Sequence, residues 1–286
     1  MLTERVLTID DLSVRYGRRQ ILEGVRLDLD RGEVLALLGR NGEGKTSLVR
    51  CLLGLQRPQS GRIEVFGRDA WSRREEILAD VAYVPERPQA PEWRTARQLL
   101  AWGGAFYARW EAGPAVAALE ANRVPLDLAL GSLSQGQRKQ VEIAFALASR
   151  PRLLILDDPA LGLDPVARRH LWDQVIERLA DEGVSILLTT HELEAVERVA
   201  ERVAVLHGGR LVVDEPLESL RSRFRRLPAA VEVPSVRAAR TVATAWGERR
   251  VVTDWPGDGL ADALAARAEP MSLEEIFEAL IRETPS

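Results

Sequence analysis

The sequence predicts an α/β fold with a parallel-sheet core, an antiparallel β lobe, a helical lobe and a small C-terminal α/β appendix. Three observations carry that expectation. The runs VLALLG (34–39), VAYV (81–84), LLILD (153–157), VSILLTT (184–190) and VAVLH (203–207) are continuously apolar, as strands buried on both faces are, and helical stretches follow them. The N-terminal segments VLTIDDLSVRY (6–16) and ILEGVRLDLD (21–30) alternate apolar and polar residues instead, as half-buried antiparallel strands do, with GRRQ as their turn. Finally, 286 residues at 46% hydrophobic suffice for one large domain with a smaller companion.

The elements follow in chain order. After VLALLG the Gly-rich GRNGEGK leads into a helix, TSLVRCLLGL (46–55). No strand is evident between 91 and 130, and Leu99, Trp102, Phe106 and Trp110 fall on one helical face, so a helical insertion is placed over about residues 87–135. Gly103-Gly104 lies in mid-helix there and loosens it by about 1 kcal/mol per glycine. LSQGQ (133–137) opens the amphipathic helix QRKQVEIAFALA, whose Val141, Ala144, Phe145 and Ala148 share a face. The main domain is assigned to residues 1–227. Residues 228–286 read as a separate small α/β unit: VEV, an Ala-rich helix, RRVVTDW, another helix and MSLEEIFEALI, with no catalytic motif.

Composition excludes several classes. A single cysteine, Cys51, rules out an intrachain disulfide, and no apolar run approaches the roughly 18 residues of a membrane span. The N-terminus is charged from Glu4 onward and has no apolar signal core, which points to a cytoplasmic protein that meets a membrane through a partner. The net charge of -4 argues against nucleic acid as the main ligand, and RSRFRR (221–226) reads as a solvated helix face. Of 39 basic residues only Lys45 and Lys139 are lysines, so each invites a question.

The first lysine has an answer in the sequence. GRNGEGKT (39–46) fits G-x-x-x-x-G-K-[ST] between a buried strand and a helix, the context in which consecutive backbone N–H groups wrap a phosphate. Gly39, Asn41, Gly42, Gly44 and Ser47 are therefore candidate nucleotide contacts. Lys45 would bridge the terminal phosphates and Thr46 would offer a hydroxyl to Mg2+. In LLILDDPALGLD (153–164) a buried strand ends in two carboxylates, which needs a cation or polar substrate to meet them. Asp157 is the metal carboxylate and Asp158 stands where a general base could polarise water. His191 ends a further core strand, placed to contact the same phosphate.

Taken together, these motifs resemble the nucleotide-binding subunits of ABC transporters, and the tail MSLEEIFEALI resembles the ending of bacterial export-type ATP-binding subunits. GRNGEGKT looks like Walker A, LSQGQ like the signature, LLILDD like Walker B, ALGLD like the D-loop and His191 like the switch histidine, over about residues 5–225. The resemblance implies a P-loop NTPase of ABC type that binds and hydrolyses ATP with Mg2+ on the inner face of the membrane. Its partners would be a membrane-spanning subunit and a second ATP-binding subunit, identical or different, and no nucleic acid. It implies that the signature residues Ser134, Gln135, Gly136 and Gln137 bind the γ-phosphate of ATP held by that second chain. By the same analogy Tyr16 stacks on adenine, although a strand residue packed inward fits the sequence equally. The insertion's Trp93, Trp102, Phe106, Tyr107 and Trp110 form either a docking face for the membrane subunit or the insertion's own small core.

Three positions depart from the family pattern. Asp158 replaces the catalytic glutamate, Glu86 replaces the Q-loop glutamine and keeps an oxygen ligand near Mg2+, and Gln135 replaces the first signature glycine. One carbon-carbon bond fewer at Asp158, about 1.5 Å, slows a general base without removing its charge. The competing readings are a soluble ATP-driven clamp on nucleic acid or ribosomes and the slow half of a heterodimeric transporter. A GTPase would need N-K-x-D, and Lys139 lies in R-K-Q-V.

Overall fold

The computed structural model describes residues 4–228, 239–244, 247–252 and 268–283. Its centre is a six-stranded sheet in the order β10-β9-β3-β8-β7-β6. These strands are β3 (Val34–Leu38), β6 (Val81–Val84), β7 (Leu153–Asp157), β8 (Ser185–Thr190), β9 (Arg202–His207) and β10 (Arg210–Pro216). Five run parallel, and β10 returns antiparallel along β9 at the edge. Every residue of β3, β7 and β8 is buried, which is why their sequences show no alternation.

Against this sheet lies a four-stranded antiparallel one, β2-β1-β4-β5, built from β1 (Arg5–Tyr16), β2 (Arg19–Asp30), β4 (Ser60–Val65) and β5 (Arg68–Asp69). Leu7, Ile9, Leu22 and Leu29 from its inner face share a core with Leu35 and Leu37 of β3 and with Leu48 and Leu52 of α1 (Lys45–Leu52). The helical lobe contains α3 (Ala96–Gly103), α4 (Ala112–Ala121) and α5 (Gln135–Ala148), around a core that includes Leu99, Leu119, Leu133, Val141 and Ala144. Further helices are α2 (Arg74–Leu78), α6 (Pro165–Glu182), α7 (Leu193–Val199) and α8 (Leu217–Arg223). Asp164 caps α6, its Oδ1 accepting the N–H of Val166 at 2.8 Å and of Ala167 at 2.9 Å, with Pro165 in the first helical position.

Several expectations change. Leu99, Trp102, Phe106 and Trp110 do not share one helix, because α3 ends at Gly103 and Gly104 caps it. A methyl on Gly103 would sit 2.3 Å from Trp110, so this glycine lets the indole fold back over the helix end. Nor is RSRFRR a solvated face. Phe224 is fully buried, and its arginines are engaged within the chain: Arg221 with Glu197, Arg223 with Glu215, Arg226 with Glu269 and Glu275.

The third sheet, β12-β13-β11-β14, comprises β11 (Arg225–Pro228), β12 (Ala239–Thr244), β13 (Gly247–Val252) and β14 (Glu269–Pro270). The stretch expected as an Ala-rich helix is thus a strand over 239–244, paired antiparallel with β13. VEV and the helix expected before Glu269 lie outside the described residues. β11 opens three residues before the expected 228 boundary. The final helix, α9 (Leu273–Glu283), adds Leu273, Ile276, Ala279 and Leu280 to the core cluster that also holds Val196 and Leu220.

Candidate nucleotide site

The carboxyl ends of β3, β6, β7 and β8 meet at one edge of the central sheet, the crevice where open α/β sheets place ligands. A cavity of about 340 Å3 opens there. Its walls are Arg19 and Ile21 from β2, Arg40, Asn41, Gly42, Gly44, Lys45, Thr46 and Ser47 from the loop and start of α1, Glu86 after β6, and Asp157 and Asp158 after β7. A wider cleft of about 490 Å3 at the opposite edge, lined by Arg31, Arg109, Arg150 and Arg152, gathers no comparable set. Those arginines pair with Glu4, Asp80 and Glu111 of the same chain.

The loop between β3 and α1 is shaped for an anion. Gly44 caps α1 with φ +107, a conformation that side-chain-bearing residues avoid, and a methyl there would press within 2.6 Å of Leu22. No side chain caps this helix start, so its first N–H groups point to whatever enters the cavity. Lys45 is buried and curls over its own loop, donating to the carbonyls of Gly39 at 2.7 Å and Arg40 at 3.4 Å. Glu43 anchors the loop from outside, 3.0 Å from His207 Nδ1 and accepting the Gly208 N–H at 2.7 Å.

The two carboxylates behave differently. Asp157 is buried and opposite Thr189 in the β7–β8 register. Thr189 Oγ1 donates to its Oδ1, while Tyr83 and Thr46 hydroxyls each lie 3.4 Å from its Oδ2. Burial, followed by the charge of Asp157, pushes the Tyr83 phenol well above its ordinary value, so it stays a neutral donor. Asp158, also buried, adopts φ +42 and donates its N–H to Thr189 O at 2.8 Å. Its Oδ1 accepts the His191 N–H at 3.1 Å and lies 2.9 Å from His191 Nδ1. His191 is therefore joined to the second carboxylate; its ring is half exposed, and it is not among the residues that line the cavity.

Thr46, Asp157 and Glu86 all line this cavity and carry hard oxygen donors, the donor chemistry that Mg2+ takes. Among the described residues no three His, Cys, Asp or Glu side chains form a closed cage.

The remaining sequence candidates lie around the cavity. Tyr16 is 46% exposed, which removes the inward-packed alternative, and its hydroxyl reaches Gln56 and, at 3.3 Å, Ser47. Ser134 caps α5 in a reciprocal box: its Oγ accepts the Gln137 N–H at 3.2 Å and its own N–H meets Gln137 Oε1 at 3.0 Å. None of Ser134, Gln135, Gly136 or Gln137 lines this chain's cavity. Gln135 turns toward the D-loop, its amide carbon 2.9 Å from where a Gly162 methyl would be. Sequence reasoning passed over Tyr83, Thr189, Arg19 and above all Lys139, whose only signal was the scarcity of lysine.

A glycine-wrapped phosphate loop beside a strand-end aspartate, on a parallel sheet with an antiparallel lobe and a helical lobe, defines an ATP-binding P-loop cassette. The chain belongs to the ABC transporter family, whose family model matches residues 22–161, and it is an ATP-binding subunit with ATPase activity. It is 31% identical to the bacitracin transport ATP-binding protein BcrA of Bacillus licheniformis, over 77% of this chain and 73% of that one. It is 34% identical to the daunorubicin resistance ATP-binding protein DrrA3 of Streptomyces coeruleorubidus, over 77% and 71%. The methionine import ATP-binding protein MetN of Rhizobium etli is 34% identical, over 73% and 60%. A solved structure of an ATP-binding subunit of an ABC transporter superposes with a TM-score of 0.70 at 33% identity, over 76% of this chain and 92% of that one. The expected α/β P-loop fold and the family resemblance therefore hold.

Proposed function

We propose that this subunit powers export through a membrane-spanning partner, binding Mg-ATP between two subunits paired head to tail. The observation that supports it most is the joint lining of one cavity by Lys45, Thr46, Glu86, Asp157 and Asp158. Relatives named for bacitracin transport, daunorubicin resistance and Nod factor export favour the outward direction. Tyr16 is assigned to adenine, the loop from Gly39 to Ser47 to the phosphates, and Thr46, Asp157 and Glu86 to the metal. Bound Mg2+ would neutralise phosphate charge as it develops. Asp158 would take the proton of the attacking water on Oδ2 while His191 steadies Oδ1.

The helical lobe supplies the docking face. Tyr107 and Trp110 gather on Phe145 inside the lobe, whereas Trp93, Trp102 and Phe106 are exposed, with the Arg94 guanidinium 4.5 Å from the Trp93 ring and 5.2 Å from the Trp102 ring. Among the described residues no helix is long and apolar enough to cross a membrane. In this reading the subunit sits on the cytoplasmic face through that partner, and residues after about 228 form an accessory unit. A second reading, the slow half of a heterodimeric transporter, is favoured by the shortened base at Asp158.

Single-turnover hydrolysis of Mg-ATP tests both. Wild type is expected to bind and cleave ATP, Lys45→Ala to lose affinity, Asp158→Asn to lose about 10²- to 10⁴-fold in rate, and Asp158→Glu to gain rate. Asp158→Asn as fast as wild type in the isolated chain would remove Asp158 as the base.

A further inference from the structure

Three side chains on the first two turns of α5 grip the loop after β6. Lys139 Nζ donates to the carbonyl oxygens of Pro85 and, at 2.8 Å, of Glu86. One turn on, Glu142 Oε1 accepts the N–H groups of Gln89 and, at 2.9 Å, of Ala90. Arg138 reaches Glu92 Oε1 at 2.8 Å. The loop is thus held at its carbonyls and at its N–H groups by one helix face.

Lys139 is the unusual member. It is fully buried, in a chain that uses arginine at nearly every other basic position. Burying an ammonium is unfavourable unless its donors are engaged, and an apolar side chain of equal length would fill the space without that cost. Arginine is the poorer fit to two adjacent carbonyls in a closed site, since lysine acts as a compact point donor and guanidinium as a broad fork. What distinguishes this position is therefore the bond it makes.

That bond connects two places with separate tasks. Glu86 lines the nucleotide cavity, and its carbonyl is held by the helix that opens at Ser134. Lys139 lies five residues into that helix, so the helix cannot turn without carrying the loop. We propose that Lys139 is a positioning residue that ties Glu86 to the helix opened by Ser134, so that contact at Ser134 and placement of Glu86 are set together. This rests on the ATPase reading above.

The test uses the full chain with Lys139→Met, which keeps the stem and removes the donors, and with Lys139→Arg, which keeps donors. Folding is checked by circular dichroism, ATP affinity by fluorescent-nucleotide titration with and without Mg2+, and turnover by steady-state kinetics. Lys139→Met is expected to bind ATP within about twofold of wild type and to lose at least about tenfold in kcat, because a misplaced loop harms the reacting geometry more than binding. Lys139→Arg is expected to restore part of that kcat. Wild-type kcat in Lys139→Met, affinity falling in step with kcat, or an Arg variant no better than Met would each overturn the proposal. If Lys139→Met does not fold, Lys139→Gln, with a shorter amide donor, is judged by the same measures. A wild-type chain that fails to bind ATP overturns the ATPase reading, whereas full turnover in Lys139→Met overturns this proposal alone.

Discussion

At the residue scale, adjacent side chains of the same type hold different positions because the backbone turns between them. Asp157 ends its strand in extended conformation and is fastened by Thr189, Tyr83 and Thr46, whereas Asp158 swings to φ +42 and bonds toward His191. Aspartate tolerates the left-handed region better than most residues, so the shorter side chain also suits this backbone. The pair was legible in the sequence as chemistry, since a buried apolar run ending in two carboxylates needs an explanation. The fastenings were not, because Tyr83 and Thr189 reach Asp157 only through strand register. Lys139 was visible as an oddity without a partner, and its titration is now open to test. Burial holds its ammonium down to about 8, partly countered by the nearby carboxylates of Glu142, Asp157, Asp158 and Glu86. The folded value is below the unfolded 10.5, so between about pH 8 and 10.5 the unfolded chain binds more protons and stability contributed by this group rises with pH. Below pH 8 the burial cost is fully present. The unfolding free energy of wild type minus that of Lys139→Met should therefore increase from pH 8 to 10, by at most about 1.4 kcal/mol per pH unit in urea titrations. A difference that stays flat or falls over that range would contradict the burial effect.

At the element scale, the buried strands were the most readable because burial on both faces leaves nothing to alternate. β4, β5 and β10 were missed: SGRIEV contains a glycine and buries only Ile63 and Val65, β5 is two residues long, and β10 buries Val213 alone. The aromatic run after Leu99 was misread for a tertiary reason. Its spacing is helical, yet Trp110 folds back to within 4.9 Å of the Phe145 ring centroid, and that packing competes with continuing the helix. Gly103 is the position that decides between them. A methyl there would stand 2.3 Å from Trp110 and 2.8 Å from Phe145, whereas one on Gly104 would stand 3.1 Å from Trp110. Gly103→Ala should cost about 1–3 kcal/mol through overpacking, and Gly104→Ala less. Thermal unfolding followed by tryptophan fluorescence measures both. Equal stability of the two variants would mean that the indole moves aside freely.

At the scale of the whole molecule, the signature segment and the nucleotide cavity lie apart on the same chain. The cavity that gathers Lys45, Asp157 and Asp158 includes no residue of LSQGQ, while Ser134 caps an exposed helix start in the helical lobe. An exposed helix N-terminus is suited to an anion presented by another chain. If nucleotide bound in one cavity also meets Ser134 of a second chain, ATP joins the two, and its cleavage lets them part. Association should then require both uncleaved ATP and an open approach to Ser134. Asp158→Asn, which traps ATP by slowing its cleavage, should sediment as a dimer at saturating Mg-ATP and as a monomer with ADP. Adding Ser134→Arg to that variant should keep it monomeric with ATP, because the longer side chain fills the space before the helix start without touching the cavity where ATP binds. Monomers of Asp158→Asn at saturating Mg-ATP would rule out the homodimer. Dimers that persist with Ser134→Arg would place the joining surface elsewhere than the signature helix.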